Sequence, residues 1–183
     1  PVCGERVEAQ SPQQIVENIE RWPDGTRVQI LAPIIKDRKG RHERVIEDIR
    51  QAGFVRVRVN GEVRDVTEEI DLARYKSHTI EVVVDRLVIR HFDDPDSEEA
   101  GAARSRLTDS VETAMEMGGG VVIVNDVSDA DNPVDHLFSE HLACVYGHVS
   151  LPEIEPRTFS FNNPHGACPE CQGLGVRREF DPD

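Results

Sequence analysis

The chain has 183 residues, 38% of them hydrophobic and 31% charged, and its 35 acidic against 21 basic residues leave a formal net charge of −14. This is the balance of a soluble globular protein, long enough for one core and a small satellite module, with no apolar run of roughly eighteen residues to span a membrane. So acidic a chain lacks the overall positive charge that would release counterions from a DNA backbone, which points to a protein as its macromolecular partner.

Pro1-Val2-Cys3-Gly4 has neither the basic start nor the apolar core of a signal peptide and begins without methionine, as expected of a fragment of a longer chain. Ser11-Pro12-Gln13-Gln14 combines a capping hydroxyl, a proline at the first helical position and a glutamine three residues after the cap, predicting a helix over Pro12 to Arg21. Ile15, Ile19 and Trp22 form its stripe and Pro23-Asp24-Gly25 ends it. Arg27 to Pro33 reads as a strand. Lys36 to Arg41 reads as a basic loop before a second helix over His42 to Ala52, closed by Gly53, with Val45, Ile46 and Ile49 inward.

Phe54 to Val59 alternates strictly and meets Asn60-Gly61, the strongest short hairpin signal, with Glu62 to Val66 returning. A two-residue turn sets Val59 opposite Glu62 and Arg56 opposite Asp65. Alternation places Phe54, Arg56 and Arg58 on one face, expected to be outside, and Val55, Val57 and Val59 on the other. Thr79 to Arg90 reads as a long strand whose apolar run is broken by Asp85-Arg86, a charge pair that calls for a partner. His91 to Gly101 is acidic and expected to be a mobile loop. A third helix is predicted over Thr108 to Met117, released by Gly118-Gly119-Gly120 into a strand over Val121 to Val124, and Asn125 to Asp135 reads as another acidic loop. The three glycines lie between helix and strand, the reverse of a phosphate loop. No catalytic triad or paired-acid arrangement can be placed in one pocket, so no independent enzyme is expected.

The tail carries the chemistry. Cys144-x-x-x-His148 and Cys168-x-x-Cys171 are two ligand pairs separated by nineteen residues, the spacing of a zinc ribbon, in which four ligands close a tetrahedral structural site. His141 and His165 stand three residues before Cys144 and Cys168 and are alternatives for the fourth ligand. Cysteines used this way indicate a reducing cytosol.

Leu151-Pro152-Glu153-Ile154-Glu155-Pro156-Arg157-Thr158-Phe159-Ser160-Phe161-Asn162-Asn163-Pro164, continuing through Gly166-Ala167-Cys168-Pro169-Glu170-Cys171-Gln172-Gly173-Leu174-Gly175, resembles the UvrA family, the damage-recognition ATPases of bacterial nucleotide excision repair. Arg56 to Val59, His78 to Arg86 and Arg106 to Ala114 resemble it in the family's order. The resemblance implies an α+β UvrB-binding domain over residues 10–126, preceded by the end of another segment (1–9) and followed by a linker (127–140) and a zinc-binding module (141–183) returning to the ATPase and signature region. It implies that Arg56 and Arg86 contact UvrB. It implies a full-length protein that is a homodimer and binds DNA through other parts, with ATP bound outside this chain because no ATPase motif lies here, and the location implied is cytoplasmic. Where the family carries Cys-x-x-Cys, this chain has Cys144-Val145-Tyr146-Gly147, and His148 restores the ligand count. Cys3 matches the end of a further cysteine pair.

Two other readings stand beside this one. Cys168 to Gly175 also resembles the Cys-x-x-Cys-x-Gly-x-Gly element of the DnaJ chaperone family, which repeats it several times where this chain has it once. A nucleic-acid-binding ribbon is the other, set against three arginines and seven acids over residues 136–183.

Overall fold

The computed structural model describes Gly4, residues 7–141, Ala143, Cys144, residues 159–162 and 166–168, Cys171 and Gly175, with only the backbone of Val7, Glu8, Ala143 and Cys144. The chain divides into two units, Pro1–Ser150 and Leu151–Asp183. In the second, Phe159, Phe161 and Cys168 are exposed and Cys171 is half-buried.

Among the described residues the order is β1 (Val7–Glu8), α1 (Pro12–Glu20), β2 (Arg27–Lys39), α2 (Glu43–Gln51), β3 (Arg56–Val59), β4 (Glu62–Asp65), β5 (Ser77–Val88), α3 (Glu98–Met117), β6 (Val121–Asp126), β7 (Val134–Ser139) and β8 (Ala143–Cys144). Six strands make an antiparallel sheet in the order β4-β3-β5-β2-β6-β7, and β1 pairs β8. The fold is α+β, as the sequence indicated. No helix among the described residues is long and apolar enough to cross a membrane.

Local chemistry accounts for several element ends. At α1 the Ser11 hydroxyl accepts from the Gln14 amide (3.3 Å) while the Ser11 amide donates to Gln14 Oε1 (2.9 Å), a complete capping box. Gly53 follows α2 with φ +89°, a conformation glycine adopts without Cβ strain. The hairpin turn pairs Val59 with Glu62 and Arg56 with Asp65, the register expected from Asn60-Gly61.

The sequence reading has no counterpart of the two-residue strands β1 and β8, and three longer elements differ from it. β2 continues to Lys39, because Arg38 and Lys39 find partners in His78 and Ser77 of β5. α3 begins at Glu98, capped by Ser97, so residues 98–101 of the expected loop are helical. Its first turns are exposed and show no apolar stripe, the signal on which the reading depended. Residues 134–139, expected as connecting segment, form edge strand β7 along the whole of β6.

The core lies between one face of the sheet and the helices. Ile15, Val16 and Ile19 of α1, Ile46 and Ile49 of α2, and Leu107, Val111, Ala114 and Met115 of α3 pack with alternate residues of the strands: Val28 and Ile30, Val57 and Val59, Ile80 and Val82, Val122 and Val124. A smaller cluster of Leu31, Val83 and Ile123, with Leu137 against it, occupies the opposite face.

Candidate functional site

Among the described residues, the sheet face opposite the helices is where the charged strand residues gather. Val57 and Val59 point to the helices, so Arg56 and Arg58 point away from them. Arg58 is paired with Glu81, two residues before Val83, and Val83 is paired with Leu31, two residues after Gln29. All of these share the open face.

Arg86 reaches that face through a bulge. Ile80 and Val82 belong to the helix side, and unbroken alternation would send Val84 and Arg86 after them. The register instead steps from Leu31 opposite Val83 to Ile30 opposite Asp85, leaving Val84 as the extra residue. Beyond the step, Asp85 faces the helices and Arg86, opposite Gln29, faces out. Asp85 there accepts from Arg106 Nε (2.9 Å) and Nη2 (2.8 Å) and from Ser110 Oγ (3.0 Å), which ties β5 to α3. Burial pushes the Asp85 carboxyl up, but hydrogen bonds from Arg106, the Arg86 amide and Ser110 outweigh it and hold it below the usual carboxylate range.

Arg56 and Arg86 are both exposed, and among the described residues neither guanidinium has an ion pair or a hydrogen bond. Of the charge pair for which the sequence calls for a partner, Asp85 is the member that has one, in Arg106. Across the hairpin, Arg56 helps to lower the Asp65 carboxyl, after the larger effects of the Thr67 hydroxyl and amide, without forming an ion pair.

Arg58 corrects the sequence reading, which placed it outside with Arg56: it is 8% exposed. Its Nε and Nη2 donate to Glu81 at 2.8 and 2.9 Å, and its Nη1 and Nη2 to Asp135 at 2.7 and 2.8 Å. Asn125 Nδ2 donates to the same Asp135 (2.7 Å). β3 and β7 are four strand spacings apart in the sheet order, about 19 Å in a flat sheet, beyond the reach of the two side chains. The sheet must therefore curl across this face for the clamp to close, which the twist of bulged strands permits. Burial pulls the Arg58 guanidinium down, and the bonds to Glu81 and Asp135 more than offset it, so it is raised. Beside Arg86, Gln29 is 8% exposed and its Oε1 lacks a partner among the described residues. The clamp was missed by sequence reasoning, although an acid within Ile80-Glu81-Val82 carried the same signal as Asp85.

The predicted zinc ligands fall partly outside the described residues. Cys144 pairs through its backbone with Val7, Cys168 is exposed and Cys171 half-buried, while His148 and the Cys144 side chain are not described. Of the alternatives, His141 Nε2 lies 3.0 Å from Gly119 O, and His165 is outside the described residues. Among the described residues no three His, Cys, Asp or Glu side chains cluster as metal ligands.

A family model described as the UvrA interaction domain matches residues 10–128. UvrABC system protein A of Methanothermobacter thermautotrophicus is 49% identical over 183 residues, covering 100% of this chain and 18% of that protein. The proteins of the same name from Halalkalibacterium halodurans and Mycobacterium tuberculosis are each 46% identical, over 184 and 187 residues, covering 99% and 100% of this chain and 18% of each relative. The chain thus spans about a fifth of the length of the curated relatives it matches.

Proposed function

This chain belongs to the UvrA family, and from that premise we propose that it serves nucleotide excision repair by recruiting UvrB through the open face of its sheet. Arg56 and Arg86 are the cations that meet acidic groups of UvrB. The observation that carries this is the bulge at Val84, which turns Arg86 onto the face where Arg56 stands, each guanidinium exposed and without a partner among the described residues. Exposed arginines with no partner among the described residues suit bidentate contact with carboxylates. Arg58, committed to Glu81 and Asp135, shapes the surface without being available to the partner.

Chain-long similarity to the family supports this reading over a chaperone module. A structural zinc held by Cys144, His148, Cys168 and Cys171 is part of the proposal and rests on ligand spacing. It would fasten the tail and take no part in chemistry. ATP turnover, the main DNA contacts and homodimer formation belong, in this reading, to the remaining length of the family protein, acting in the cytoplasm.

The test is calorimetric titration of the chain with UvrB from the same organism. Arg56→Glu and Arg86→Glu should each weaken binding by about 2–5 kcal/mol, roughly 30-fold to several-thousand-fold. Unchanged affinity in both folded variants ends the assignment.

A further inference from the structure

All three lysines of this acidic chain lie at one end of the sheet. Lys36, Arg38 and Lys39 form the far end of β2, and the pairing of Arg38 with His78 and Lys39 with Ser77 brings them beside Arg74 and Lys76, just ahead of β5. Arg41 and Arg44 follow in the turn into α2. All seven cations are exposed. Within the two segments, residues 36–44 and 74–76, the only acids are Asp37 and Glu43, and the one ion pair is a loose contact of 3.5 Å between Arg41 and Glu43. The other six cations have no ion-pair partner among the described residues.

The same corner holds a hollow of about 600 Å³ lined by Gly40, Arg41, His42, Glu43, Arg44 and Arg74. Its wall has a defined shape. His42 has positive φ (51°), Gly40 has φ 143° with the His42 imidazole against it, and His42 Nε2 lies 3.0 Å from Arg38 O. Beside it, Tyr75 stands between Arg74 and Lys76 with 83% of its surface exposed. Crowding like charges without partners costs folding stability, so the packing of the chain itself gives no reason for this arrangement. A polyanion does.

We propose that this corner binds the phosphate backbone of duplex DNA. Three arginines around one hollow match a phosphate, the lysines extend the cationic track as point charges, and an exposed aromatic ring among them offers a face to sugar or base. The net charge of −14 averages over the chain and hides this local reversal of sign. The proposal rests on the DNA-repair reading above, which supplies the polyanion, but not on the arginines of the open face. From Ser77 to Arg86 is nine residues along β5, about 30 Å at 3.3 Å per residue, so UvrB at Arg86 and DNA at the hollow need not compete.

The experiment is fluorescence anisotropy of a labelled 30-base-pair duplex titrated with the chain between 50 and 200 mM salt. The triple variant Arg41→Ala/Arg44→Ala/Arg74→Ala is the test, and Arg56→Ala/Arg86→Ala is the control. If three phosphates are neutralised at roughly 0.9 counterion each, the triple variant lowers the slope of log affinity against log salt by about 2.7, equivalent to about 40-fold across that range. The control keeps the wild-type slope. The triple variant retains its far-ultraviolet circular dichroism and its UvrB affinity. Absence of duplex binding by the wild type at 50 mM salt, or equal slopes in the two proteins, overturns the proposal. Displacement of the duplex by polyglutamate at equal charge concentration overturns it in favour of an acidic protein. Loss of UvrB binding with DNA binding intact assigns the hollow to the protein interface and likewise overturns it, leaving the Arg56 and Arg86 reading standing.

Discussion

Arg56 and Arg58 stand two residues apart on one strand and one face, yet their removal should have very unequal consequences for stability. Arg58→Ala deletes four hydrogen bonds and leaves Glu81, whose side chain is 7% exposed, as a buried carboxylate without its counter-charge. Breaking a buried pair from one side costs about 3–5 kcal/mol, most of it the desolvated partner left behind. Asp135, at 46% side-chain exposure, can recover water and adds at most about 1 kcal/mol. Arg56→Ala removes an exposed group with no ion pair among the described residues and should stay within about 0.5 kcal/mol of wild type. Urea denaturation followed by circular dichroism measures both, with the slope of free energy against urea checking that the unfolded state is comparable. The double variant Arg58→Met/Glu81→Leu supplies the control, since replacing both charges by apolar groups of similar size should recover most of the loss. A cost below about 1 kcal/mol for Arg58→Ala, or no recovery in the double variant, would refute the clamp as the element that holds β7 across the sheet.

Further outcomes follow from the same geometry. Asp85 is depressed in the folded state, so its contribution is full above the unfolded value near 3.8 and fades as pH falls through its lower folded value. Asp85→Asn should therefore be less stable than wild type at neutral pH and should flatten the acid limb of a melting-temperature profile below about pH 4. A parallel profile would mean that the Arg106 and Ser110 bonds do not act on the ionised form. Ser11→Ala removes one half of the capping box at α1 and should cost about 1 kcal/mol in the same urea assay, whereas Ser11→Asp should be nearly neutral. For the proposed metal, atomic absorption should give one zinc per chain, lost in His148→Ala and Cys171→Ser but kept in His141→Ala. Retention in His148→Ala with loss in His141→Ala would transfer the fourth ligand.

How much of this was legible without coordinates depended on whether the deciding interaction was local. The capping box at Ser11 and Gln14, the turn at Asn60-Gly61 and the register of Arg56 with Asp65 involve residues a few positions apart, and backbone geometry with hydrogen-bond chemistry settles them. The extension of β2 to Lys39 depends on a partner about forty residues away in β5, and β7 forms because β6 offers it an edge. Neither strand announces itself by composition. The early turns of α3 escaped for the reverse reason, being helical by propensity and capping with no buried face to give them a period.

The site divides in the same way. Sequence alone determined that the chain is α+β, that Arg56 and Arg58 share a face, and that a charged Asp85-Arg86 pair in an apolar strand has a purpose. Tertiary structure alone decided what each charge does. A one-residue bulge at Val84 sends Asp85 to α3 and Arg86 outward, and the curl of the sheet turns Arg58 from the surface residue that alternation predicts into a buried clamp on Glu81 and Asp135. Alternation is a property of one strand, whereas burial depends on what other strands bring within reach, and a period of two carries no information about that distance.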